Sequence, residues 1–139
     1  MEEALTLPLL PEVQFNLFKH YQWFISACFH PYLSHIQDVR GDGNCGFRSI
    51  AVGLSLHETD WPLIRRELLG ECNRYQDLWN TIDSVEFQLV RNSLDWNGIE
   101  FAPETKWLLM PFTGIVIANR WSVICHLLND VGCTTFFPC

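Results

Sequence analysis

Asp38-Val39-Arg40-Gly41-Asp42-Gly43-Asn44-Cys45-Gly46-Phe47-Arg48-Ser49-Ile50 is the stretch that decides how the chain is read. Gly41, Gly43 and Asn44 are turn formers, and an apolar pattern of helical spacing starts directly after them. Phe47, Ile50, Ala51 and Leu54 fall at i, i+3, i+4 and i+7. The spacing predicts a helix over about residues 45–54 with this stripe buried. Asn44 stands at its N-cap, where a carboxamide oxygen accepts an amide of the first turn, here that of Phe47. Cys45 is therefore expected in the first turn.

A thiol in that place meets unpaired N–H groups and the positive end of the helix dipole, both of which favour thiolate. The glycine-rich loop can turn amides inward, as an oxyanion hole requires, and Gly46 leaves space for a carbonyl to approach. The same spacing also fits a small, inert, buried cysteine. Spacing alone leaves both readings open.

Asp42-Gly43-Asn44-Cys45-Gly46-Phe47-Arg48 resembles the nucleophile motif of the ovarian tumour (OTU) family of cysteine peptidases: Asp-Gly-Asn-Cys, a small residue, an aromatic and Arg. The likeness runs from about Val13 to the end, and is strongest to OTU-like domains found beside transposon genes in plants and fungi. Their shared segments are matched by Val39, Gly41 to Arg48, Trp61 to Arg66, Trp107 to Pro111, Ile117-Ala118 and Thr135 to Pro138. The resemblance implies an α+β fold with helices packed around a small central sheet. It implies an isopeptidase that removes ubiquitin or a related modifier from lysine side chains. Cys45 would be the nucleophile, Asp42 the motif aspartate of the catalytic site, and Gly43 and Asn44 the loop that supplies oxyanion contacts. Neither a metal nor a cofactor is expected.

In that family the histidine base lies on a late strand, beyond the Thr-Phe-x-Pro segment, with an aromatic after it. Here that segment is followed by Cys139, the last residue given, and the late histidine is His126. His126 is a candidate for the base, but is read in preference as a strand residue satisfied by its neighbours, and the closing apolar run 134–139 predicts an open sheet edge with a strand missing beyond it. A second expectation therefore stands beside the first: an OTU-fold ubiquitin-binding module or transposon remnant without turnover. Loss of one member of a catalytic unit costs on the order of a thousandfold to a millionfold.

Composition bounds the remaining choices. The chain has 139 residues, 48% hydrophobic and 14% aromatic, which suits one domain over 12–139 behind an arm at 1–11. A net charge of −7 without any run of Lys or Arg argues against a phosphate-binding surface, so nucleic acid is not an expected partner. The apolar run from Tyr21 to Phe29 is shorter than a membrane span and has no cleavage signature, so neither anchor nor export signal is expected. Six cysteines without an export signal predict reduced thiols in the cytosol or nucleus, and no C-x-x-C pair suggests zinc.

Further elements follow from periodicity. Val13, Leu17, Tyr21, Phe24 and Cys28 predict one amphipathic helix from Glu12 to near Pro31. Asp60 as N-cap and Pro62 in the first turn open a helix to about Tyr75, with Ile64, Leu68, Cys72 and Tyr75 buried and Arg65, Arg66, Glu67, Glu71 and Arg74 in water. His57 lies beyond the far end of the Cys45 helix, roughly 18 Å away at 1.5 Å per residue, too far to serve as a base. Ser84 caps a helix over about 85–94 with Val85, Leu89 and Val90 inward, and 95–105 is a loop. Ile and Val propensity favours one long strand over 115–128, whereas the resemblance implies a helix over about 113–120 and a strand over about 122–128. Trp107 and Trp121 are read as core residues. A turn at 129–132 and a strand at 134–137 close the chain.

Overall fold

Glu12–Tyr21 forms helix α1 in the computed structural model, which describes residues 12–77, 81 and 84–139. The expected arm at 1–11 and the side chains of Val13 and Ser84 lie outside the described residues. The helix expected to reach Pro31 stops ten residues earlier and gives way to 3-10 turns over Gln22–Phe24 and Ala27–Tyr32. The break is at Ile25, which is extended, with φ −124° and ψ 128°. The His30 ring supplies the physical reason. Its Nε2 lies 3.1 Å from the Gln22 carbonyl oxygen and 2.9 Å from that of Ile25, replacing partners that a continuous helix would have provided. Phe24 and Cys28, expected on a buried stripe, are exposed.

The described residues group into two compact units, 12–38 with 128–133, and 39–77, 81 and 84–127 with 134–139. In the first, Phe18 meets His30 edge to face at 5.1 Å, and the Tyr21 hydroxyl donates to Asp38 at 2.9 Å. Asn129 shapes the turn at 129–132: its Oδ1 accepts from the Val131 and Gly132 amides, and the Ser26 amide donates to its carbonyl.

The second unit is built around α3, Trp61–Arg74, which packs against α2 (Cys45–Gly53), α4 (Ser84–Leu94) and α5 (Thr113–Trp121). Its core is Phe47 and Ala51 of α2, Ile64, Leu68 and Cys72 of α3, Phe87, Val90 and Leu94 of α4, and Val116 and Ile117 of α5. Each large apolar side chain buried there contributes about 1.5–3 kcal/mol. The stripes of α2 and α3 match the sequence pattern. Tyr75, however, is exposed, and two polar residues expected in water, Arg65 and Glu71, are buried. In α4 the buried apolar set is Phe87, Val90 and Leu94, at i, i+3 and i+7, while Val85 and Leu89 face outward. Phe87 carries more apolar area than either neighbour and takes the inner face.

Helix α5 replaces most of the strand that propensity favours over 115–128. At Gly114 a Cβ would overlap the Phe136 ring, so the helix meets that aromatic at backbone distance. Strand β1, Cys125–Leu128, pairs antiparallel with β2, Cys133–Phe136, in a two-stranded sheet, the only one among the described residues. The fold is thus mixed helix and sheet, with helices predominating. No described helix is long and apolar enough to cross a membrane.

Candidate active site

Helix α2 begins at Cys45, whose thiol is exposed, and the turn before it is held from several sides. Asp42 is buried and binds Arg48 through both oxygens, Nη2 to Oδ2 at 2.6 Å and Nε to Oδ1 at 3.2 Å. The same Oδ1 accepts the Asn44 amide at 3.0 Å, which closes the turn locally. Arg48 Nη1 reaches on to the Glu58 carbonyl oxygen at 3.3 Å. Gly43 takes φ +78°, a conformation open to glycine at little cost. Above it pass Ala102 and Trp107: the Ala102 amide donates to the Asp42 carbonyl at 3.0 Å, and the Trp107 indole N–H donates to the Ala102 carbonyl at 3.0 Å. Gly46 lies against Leu108, where a Cβ would come within 2.5 Å of the Leu108 Cβ.

Asn44 does not act as the expected cap. It makes no side-chain bond to the helix end; its Oδ1 instead accepts from Arg65 Nη2 at 2.8 Å and Nε at 3.2 Å. Arg65, 1% exposed, also donates to the carbonyls of Ser93 and Lys106, both at 2.7 Å, and its guanidinium lies 3.8 Å from the centre of the Phe47 ring. The first intrahelical bond of α2 runs from the Arg48 amide to the Asn44 carbonyl, 2.9 Å. The amides of Cys45, Gly46 and Phe47 precede that bond, the position in which helix N–H groups lack intrahelical partners. The Asn44 amide is taken up by Asp42.

Asp60 likewise departs from its expected role. Its Oδ2 accepts the His57 amide at 3.2 Å, and His57 Nδ1 accepts from the Thr59 amide, so the two residues cap the short turn Glu58–Asp60. His126 sits on β1, with Nδ1 3.0 Å from the Thr135 hydroxyl across the strand pair. Trp107, read as core, is half exposed and acts through its indole N–H, whereas Trp121 does pack against the core. Among the described residues, the Cys45 thiol has no hydrogen-bond partner, and no group of three His, Cys, Asp or Glu could hold a metal. Arg65, Ala102 and Trp107 are the positions that sequence reasoning missed. Arg65 and Trp107 carried a signal only as parts of segments matched to the OTU pattern, and Ala102 carried none.

The electrostatics follow from these contacts. Hydrogen bonds from Arg48 hold the Asp42 carboxyl down at about 2 against the opposing effect of burial. Arg48 is held above its usual value first by Asp42, with smaller contributions from the charges of Glu58 and Cys45. Asp42 is thus an anion that positions the turn, and its carboxylate is not available to exchange protons near neutrality. Because its folded value lies below the unfolded one, the stabilisation is complete above about pH 4 and disappears as pH falls toward 2. Between pH 6 and pH 2, wild-type protein should lose about 2 kcal/mol more unfolding free energy than Asp42→Asn, as read from urea titrations at each pH.

Family models, curated proteins and solved structures contain no match to this chain.

Proposed function

We propose that this chain is an OTU-like cysteine-type deubiquitinase domain with Cys45 as its nucleophile. The observation that carries the reading is an exposed thiol on the first residue of α2, on a turn held by Asp42–Arg48 and Asn44–Arg65. The Cys45 sulfur, as thiolate, attacks the carbonyl carbon of an isopeptide bond, and the oxyanion formed faces the amides of Cys45 and Gly46. The C–N bond then breaks, and the lysine amine leaves with a proton taken from solvent water, whose hydroxide is neutralised when the thioester is hydrolysed. Water hydrolyses the thioester, freeing the modifier's carboxylate and restoring the thiol.

A second reading, an OTU-fold module that binds ubiquitin without turnover, is favoured by one observation. The Cys45 thiol has no hydrogen-bonded base among the described residues.

A ubiquitin probe with a C-terminal electrophile separates the two. An adduct formed by the wild type and absent in Cys45→Ala is the expected result, seen as a mass increase of one probe. Binding without any adduct selects the silent module. Neither binding nor adduct overturns both readings.

A further inference from the structure

We infer that Arg65 is a positioning residue of the Cys45 turn, which keeps the Asn44 carboxamide turned away from the end of α2 and so leaves the first-turn amides open to an anion. The inference rests on the proposed role of Cys45. An asparagine in this place ordinarily caps the helix by accepting an amide from the first turn. Here both lone pairs of Oδ1 are directed to Arg65, and no cap bond forms.

Two features argue that stability alone does not account for this arrangement. The Asn44 Nδ2 is buried and has no hydrogen-bond partner among the described residues, a state that is unfavourable for a polar group. The hydrogen-bond acceptors of Arg65 are neutral oxygens, Asn44 Oδ1 and the Ser93 and Lys106 carbonyls, and burial pushes its guanidinium down to about 10 against the smaller, opposing effect of the Asp42 charge. Rotation of the carboxamide to the helix end would cap α2 at the expense of its two bonds from Arg65. What the observed arrangement keeps is an uncapped first turn beside a sulfur. The other charged groups at this turn, Asp42, Arg48 and Glu58, are paired with one another.

The consequence is readable from thiol chemistry without any substrate. Iodoacetamide alkylation at pH 7, followed peptide by peptide by mass spectrometry, gives the Cys45 rate relative to the exposed thiols Cys28, Cys133 and Cys139. In Arg65→Lys, Asn44 is released to cap α2, and the relative Cys45 rate should fall roughly two- to fivefold, the factor that one helix-end interaction carries. Adding Asn44→Ala to that variant removes the new cap and should restore the rate. A purely structural role predicts a loosened turn, with an equal or faster rate and no rescue, and that result overturns the inference.

Should Arg65→Lys fail to fold, Asn44→Ser and Asn44→Ala decide the matter. Both lose the Arg65 bonds, but only serine can cap, so serine should be slower by the same factor and equal rates would refute the role. Altered alkylation ratios without a ubiquitin adduct remove the peptidase reading and leave the Arg65 role intact. An adduct with unchanged ratios does the reverse.

Discussion

Asp42→Ala is expected to lower the unfolding free energy by about 3–5 kcal/mol at neutral pH, the range seen when one partner of a buried ion pair is removed. The magnitude follows from what remains. Arg48 stays 6% exposed, with Glu58 at 3.5 Å as its nearest remaining carboxylate, and the Asn44 amide loses the acceptor that closes the turn. Two losses therefore coincide, a cation without its counterion and a loop without its local bond. Asp42→Asn keeps the shape and one acceptor oxygen and should cost less than half as much. Equilibrium urea unfolding of the three proteins tests the order; an alanine variant within about 1 kcal/mol of wild type would mean that the pair contributes little beyond an exposed one. The probe adduct at Cys45 should weaken in parallel, because the same carboxylate fixes the residues on either side of Gly43.

The second large effect is steric. Gly43→Ala should cost about 2–5 kcal/mol, adding the strain of a left-handed non-glycine residue to that of overpacking. At φ +78° the new methyl would overlap the Ala102 carbonyl oxygen and stand 2.8 Å from Trp107 Nε1. Neither neighbour moves cheaply, since the Ala102 carbonyl accepts the indole N–H and the Ala102 amide is bonded to Asp42. Gly41→Ala is the control. A Cβ at Gly41 meets nothing within 4 Å, so its thermal midpoint should stay within a few degrees of wild type while that of Gly43→Ala falls by roughly 10 °C. Equal midpoints for the two variants would show that the turn relaxes around the methyl.

What the sequence could reveal, and what it could not, divides along the range of the interactions. The start of α2 at Cys45, the stripes of Phe47 and Ala51 and of Ile64, Leu68 and Cys72, and the turn at 129–132 depend on residues within a few positions of one another. Periodicity and turn chemistry report such relations directly. Arg65 was placed in water because arginine on a helix ordinarily belongs there. Its actual acceptors lie 21, 28 and 41 positions away, and no local pattern points to them. The Asn44 cap failed for the same reason, since a local rule lost to a distant donor that binds the same oxygen twice. In α4, Val85, Phe87, Leu89 and Val90 offer two competing apolar faces, and only packing against α3 selects between them. Helix α5 is a further case. Its β-branched run argues for strand by propensity, and the helix is legible only through the resemblance of Trp107 to Pro111 and Ile117-Ala118 to a known pattern.

Gly43 lies beneath Ala102 and Trp107, and Gly46 beneath Leu108, so the turn is moulded by the segment that crosses it. Neither partner has an independent evolutionary path. A bulkier residue in the motif demands withdrawal of the overlying strip, and a shifted strip unmoulds the motif. Descendants of this chain should therefore diverge most freely elsewhere, and retain or lose these two segments together.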